Sequence, residues 1–176
     1  MSTIETRAAH EVRAEGRKLT GYAATFGVET RIADFSETIK PGAFSASLAS
    51  NADVLALADH DASKVLARTK SGTLRLAEDT RGLKFELDIP DTSAGRDILA
   101  LAQRGDLGGC SFGFTVPEGG DHWSGDRREL RNVVLHEISI VSAHPAYPQT
   151  SVQARSRKER TTADRRIALL DLEAAR

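Results

Sequence analysis

The chain has 176 residues, enough for one domain with a sizeable core. Charged residues make up 28% and the hydrophobic set 40%, ordinary for a soluble globular protein, and a formal net charge of -1 gives no global attraction to nucleic acid or to a membrane. A single cysteine, Cys110, excludes an internal disulfide and a cysteine-rich zinc cluster.

Taken in order, residues 1–7 read as a frayed start. Residues 10–14 and 19–26 read as two strands with a turn at Gly16-Arg17-Lys18, and Gly21 predicts a bulge or a close neighbour. Residues 35–39 form a short strand. Pro41 then opens a short helix to about residue 49, because proline is favoured in a first helical turn. Residues 53–59 carry a continuous apolar run and predict a buried central strand that delivers Asp59-His60-Asp61 at its end. Residues 65–69 are a further strand. Residues 73–77 and 83–89 predict a hairpin.

Pro90-Asp91-Thr92-Ser93 signals a helix start; Ile98, Leu99, Leu101 and Ala102 give its stripe, and Gly105 its stop. In the next strand Phe112, Phe114 and Val116 alternate with Ser111, Gly113 and Thr115. Residues 117–126 read as a polar loop and 129–141 as a long strand. Its apolar residues switch from odd to even positions, which implies a bulge or burial on both faces. Residues 151–160 read as a basic linker and 163–175 as a short helix; residues 151–176 hold 7 Lys+Arg and 4 Asp+Glu, against 17 and 21 before them. The apolar run at 54–58 is far too short to span a bilayer, and no charged-then-apolar leader opens the chain, so a soluble, cytoplasmic protein is expected. The sum is an α+β, mainly β chain or a closed β-barrel, rather than βαβ repeats.

Three residues could carry chemistry, with His136 and His144 as weaker candidates. Ser111 sits among glycines that leave space around its hydroxyl, as a nucleophile requires; tight packing of a Gly-rich strand is the competing reading. His60 ends a buried strand between two aspartates, either of which could orient the ring of a general base; the alternative is a surface turn. Glu137 lies inside an apolar strand, so it faces solvent or has a buried partner, and a histidine would suit as in Ser-His-acid sites. Cys110, facing away from Ser111, reads as a buried hydrophobe. Gly109-Cys110-Ser111-Phe112-Gly113 also fits the esterase nucleophile elbow, which demands a helix directly after the serine. No metal-ligand spacing is present, and no cofactor is expected.

Several blocks fall in a meaningful order: Leu19-Thr20-Gly21-Tyr22-Ala23-Ala24-Thr25-Phe26, Ile39-Lys40-Pro41-Gly42-Ala43-Phe44, Asp59-His60-Asp61, Thr73-Leu74-Arg75-Leu76 with Gly82-Leu83-Lys84-Phe85, Cys110-Ser111-Phe112-Gly113-Phe114, Glu137-Ile138-Ser139-Ile140-Val141 and Pro145-Ala146-Tyr147-Pro148. Over residues 10–152 the chain resembles the prohead proteases of tailed phages, related in fold to the herpesvirus capsid protease, assemblin. The resemblance implies a small closed β-barrel with surrounding short helices, which takes residues 1–152 as one domain and leaves 153–176 to the basic linker and short helix read from composition. It implies a serine endopeptidase with His60 as general base, Ser111 as nucleophile and Glu137 as third member, with His136 or His144 as fallback. The implied partners are the major capsid protein with its scaffold segment and a second copy of the chain, with no nucleic acid and no membrane. The implied place of action is the assembling prohead in the host cytoplasm, and self-cleavage is implied too; the composition of the basic linker makes it the expected zone. A non-catalytic capsid assembly component on the same fold, or an esterase, are the alternatives.

Overall fold

The structure is a computed structural model, and it describes residues 4–9 and 12–143. Glu5–Ala9 (β1), Val12–Glu15 (β2), Lys18–Thr25 (β3), Thr30–Ile32 (β4) and Phe35–Ile39 (β5) come first. Ser45–Ala49 (α1) leads into Leu55–Ala58 (β6), Asp61–Arg68 (β7), Leu74–Glu78 (β8) and Gly82–Asp88 (β9). Ser93–Arg104 (α2), Gly109–Thr115 (β10), Asp121–Ser124 (β11), Arg127–Leu130 (β12) and Val134–Val141 (β13) complete the described chain.

The strands form three sheets, ordered β1-β10-β13-β6-β7, β11-β12-β5-β4 and β2-β3-β9-β8. The chain is mainly β, as expected. The ladders do not join into one closed barrel, so the continuous closure implied by the resemblance is not formed by strand pairing. Two pairings, β13 with β6 and β12 with β5, are parallel. One core lies within this frame, with Leu19, Phe44, Phe85, Phe112, Phe114, Leu135, Ile138 and Ile140 among its buried members. Phe44 meets Phe112 edge-on at 5.5 Å, and Phe112 stacks on Phe114 at 5.1 Å.

Several expectations hold. β8 and β9 are an antiparallel pair. α2 has Thr92 as N-cap, its side chain accepting from the Gly95 amide, and Gly105 as a left-handed C-cap at φ 75°. β6 is an interior strand between β13 and β7. The helix expected from Pro41 starts later, at Ser45, where the Glu78 carboxylate accepts from the Phe44 amide at 2.9 Å and from the Ser45 hydroxyl.

Other expectations are corrected. Residues 5–7 are not frayed: β1 pairs antiparallel with β10 along its whole length. Its sequence shows no apolar alternation because its anchor is ionic. Arg7 donates to both oxygens of buried Glu37 at 2.6 and 2.8 Å, and Arg128 reaches Glu37 at 3.1 Å and Glu5 at 2.6 Å. The loop expected over 117–126 contains β11, whose Trp123 packs edge-on against Phe35 at 5.0 Å. The long strand over 129–141 is two strands. They break at residues 131–133, whose amides leave the ladder to bond the carbonyls of Gly120 and Ala43. The bulge expected at Gly21 falls just beyond it, between Tyr22 and Ala24. The first predicted strand, at 10–14, is described only from Val12. The Pro-Ala-Tyr-Pro block, His144, the basic linker and the helix at 163–175 lie outside the described residues.

Candidate active site

Strands β10, β13 and β6 run side by side. Ser111 stands opposite Ser139, and Ser139 in turn opposite Leu57, while Gly113 stands opposite Glu137. Alternation sends Cys110, Phe112, Phe114, Ile138 and Ile140 into the core. It places Ser111, Gly113, Glu137 and Ser139 together on the other face. A bulge secures this arrangement, because the register steps from Gly113 opposite Glu137 to Phe114 opposite Leu135 and leaves His136 as the extra residue. Leu135 can therefore be buried although Glu137, two residues on, faces away from the core. The odd-to-even switch in the sequence is this bulge.

His60 is delivered by the turn between β6 and β7. Asp59 and His60 are its two central residues, and both are left-handed, at φ 51° and 59°. That signature belongs to the type I′ hairpin turn, whose twist matches the flanking strands. The conformation is uncommon outside glycine, and Asp and His are among the few side chains that adopt it readily. The turn is tied down twice. The Asp59 amide donates to the Ile140 carbonyl at 3.0 Å, and the Asp59 carboxylate accepts from the amide and hydroxyl of Ser142 at 2.7 and 2.6 Å.

So held, the imidazole meets Glu137: Nδ1 lies 2.7 Å from Oε1. A carboxylate only accepts, so Nδ1 carries the proton and Nε2 is left free to take one. The other carboxylate oxygen, Oε2, accepts from the Ser139 hydroxyl at 2.5 Å. Glu137 is 14% exposed and His60 36%, so the pair lies at the rim, with the carboxylate inside and the ring outside. Gly113 makes room for the carboxylate, since a Cβ there would come within 2.6 Å of Oε1. Neither aspartate beside His60 orients the ring: Asp59 is engaged with Ser142, and Asp61 accepts from the amide and hydroxyl of Ser63.

Ser111 is 4% exposed, and its hydroxyl donates to the Arg7 carbonyl of β1 at 2.6 Å. Among the described residues, no hydrogen bond joins Ser111 to His60. The structure thus brings His60 and Glu137 into contact and sets Ser111 one strand across from Ser139, with its proton turned the other way. His136 bonds Thr115 at 2.9 Å instead. Cys110 is buried, as expected, and desolvation, reinforced by the charge of Glu137, pushes its thiol well above the ordinary range. β10 continues as strand through Thr115, so the helix that an esterase elbow requires after the serine is not there.

Sequence reasoning missed Arg7, Gly113 as a space-maker and Ser139. The spacing of Ser139, two residues after Glu137 on one strand, was the available signal, since such residues share a face. Arg7 had none, because its part in the site is a main-chain carbonyl.

No curated protein and no solved structure matches the chain. The sequence pattern of the caudovirus prohead serine proteases matches residues 2–165, which spans β1 to β13 and every residue of the site. The chain belongs to the caudovirus prohead serine protease family.

Proposed function

We propose that the chain is a serine endopeptidase that cleaves the major capsid protein's scaffold segment inside the assembling prohead, and that Ser111, His60 and Glu137 carry the reaction. The observation that supports this reading most is the 2.7 Å contact between His60 Nδ1 and Glu137 Oε1, formed by segments 77 residues apart. A histidine–carboxylate pair of that separation, held by a left-handed turn and a bulged strand, is the arrangement that orients a general base.

The reaction begins when the Ser111 hydroxyl turns from the Arg7 carbonyl towards Nε2 of His60. That turn gives up one hydrogen bond, about 1 kcal/mol net. Nε2 takes the proton as the oxygen attacks the peptide carbonyl, and Glu137 stabilises the imidazolium that forms. The imidazolium then protonates the leaving amine, and water repeats the cycle on the acyl-enzyme. The basic linker, rich in arginine, is the proposed site of self-cleavage. A second copy of the chain is the proposed oligomeric partner.

The test is incubation of the full chain with its capsid protein. The wild type shortens that protein, and Ser111→Ala leaves it intact. Equal cutting by both removes Ser111 from the mechanism.

A further inference from the structure

We propose that Ser139 is a positioning residue that fixes the carboxylate of Glu137 for His60, an inference that rests on the function proposed above. Ser139 is fully buried, and its hydroxyl donates to Glu137 Oε2 at 2.5 Å. The opposite oxygen, Oε1, takes His60 Nδ1 at 2.7 Å. The carboxylate is therefore held at both oxygens, by Ser139 on its own strand and by His60 on the β6–β7 turn, and cannot swing freely about its terminal torsion, which is otherwise broad. Gly113 closes the remaining side, because its Cα face lies too near Oε1 to admit a methyl group. Alanine would satisfy any demand for small volume at residue 139. The hydroxyl is needed only for the oxygen it bonds, so its role is electrostatic and directional.

Ser139 also stands directly opposite Ser111 across the β10–β13 ladder. The residue that steadies the acid is thereby the strand neighbour of the proposed nucleophile. A shift of β13 against β10 would misplace both at once. This coupling ties the acid's orientation to the register of the strand pair rather than to a loop.

The experiment uses the full chain in five forms: wild type, Ser139→Ala, Ser139→Thr, Glu137→Gln and the Ser139→Ala, Glu137→Gln double variant. Each is assayed on capsid protein and by proton NMR for the downfield His60 Nδ1–H resonance. Ser139→Ala is expected to fold, to lose about 10- to 100-fold in kcat with KM little changed, and to shift or lose that resonance; loss of a hydrogen bond to a charged group has this size. Ser139→Thr, which keeps the hydroxyl, is expected to retain the resonance. If Ser139 acts through Glu137, its removal adds little once Glu137 is glutamine. Full additivity in the double variant, an unchanged resonance in Ser139→Ala, or failure of Ser139→Ala to fold would each overturn the proposal. The NMR readout needs no turnover. Should Ser111→Ala still cleave, the proposed Ser111–His60–Glu137 mechanism fails while the grip of Ser139 on the pair is measured separately.

Discussion

Gly113→Ala tests whether the site depends on where the Glu137 carboxylate sits rather than on its mere presence. A Cβ at residue 113 would lie 2.6 Å from Oε1, 3.0 Å from Cγ and 3.2 Å from Cδ of Glu137, whereas ordinary contact begins at 3.4 Å. Oε1 must retreat by the difference between 2.6 and 3.4 Å, about 0.8 Å, and it is the atom that holds His60 at 2.7 Å. A retreat of that size along the bond takes it to the limit of hydrogen-bonding distance. Misplacement by about 1 Å costs on the order of 100-fold in rate, and replacing the acid of a Ser-His-acid site costs about 10,000-fold. The expected loss in kcat lies between those bounds.

Stability should change by no more than about 1 kcal/mol, because the yielding atoms are side chain rather than backbone and alanine in an extended strand recovers about 0.5–1 kcal/mol of backbone entropy against the weakened His60 contact. The assay pairs single-turnover cleavage with a thermal melt. A folded Gly113→Ala enzyme with the wild-type rate would refute the argument.

Other consequences follow from the same contacts. His60→Ala is expected to lose cleavage by several orders of magnitude, with its melt lowered only by the strain of alanine at φ 59° and the lost Glu137 contact, as measured by cleavage rate and calorimetry. Glu37→Ala removes the buried carboxylate that Arg7 and Arg128 share at 2.6 and 3.1 Å but leaves both guanidiniums on Glu5, so it should cost about 3 kcal/mol in urea unfolding, the worth of hydrogen bonds to a charged group. Burial would raise the Glu5 carboxyl, but hydrogen bonds and charge from Arg128 and Arg7 more than offset it and hold it below its ordinary value of 4.5. A group depressed in the folded state stabilises fully above the unfolded value and loses that contribution as pH falls through the folded one. Acid titration of stability should therefore show a loss below pH 4.5 that Glu5→Gln reduces. Cys110, fully buried with its thiol pushed up, should resist a thiol reagent until the chain unfolds.

What could be read from the sequence divides along physical lines. The alternation around Phe112 and Phe114 placed Ser111 on the face away from the core, because period two is a property of the strand itself. A carboxylate amid apolar neighbours needed a partner, and Glu137 has one in His60. β1 was illegible because its stability comes from ion pairs with residues 30 and more positions away, which leave no local pattern. The turn that aims His60 carries Asp-His where Asn-Gly is the familiar signal, so its left-handed backbone was hidden too. Ser139 was marked only by its spacing two residues after Glu137, which sets the two on one face but does not say that the hydroxyl reaches the carboxylate.

The central claim is that Ser111 becomes a nucleophile through His60. Treatment of the full chain with an organophosphorus fluoride, followed by peptide mass spectrometry, tests it most directly. The account predicts a phosphoryl adduct on Ser111 in the wild type and none in His60→Ala. An adduct on another residue, or one on Ser111 that forms equally fast without His60, would contradict it.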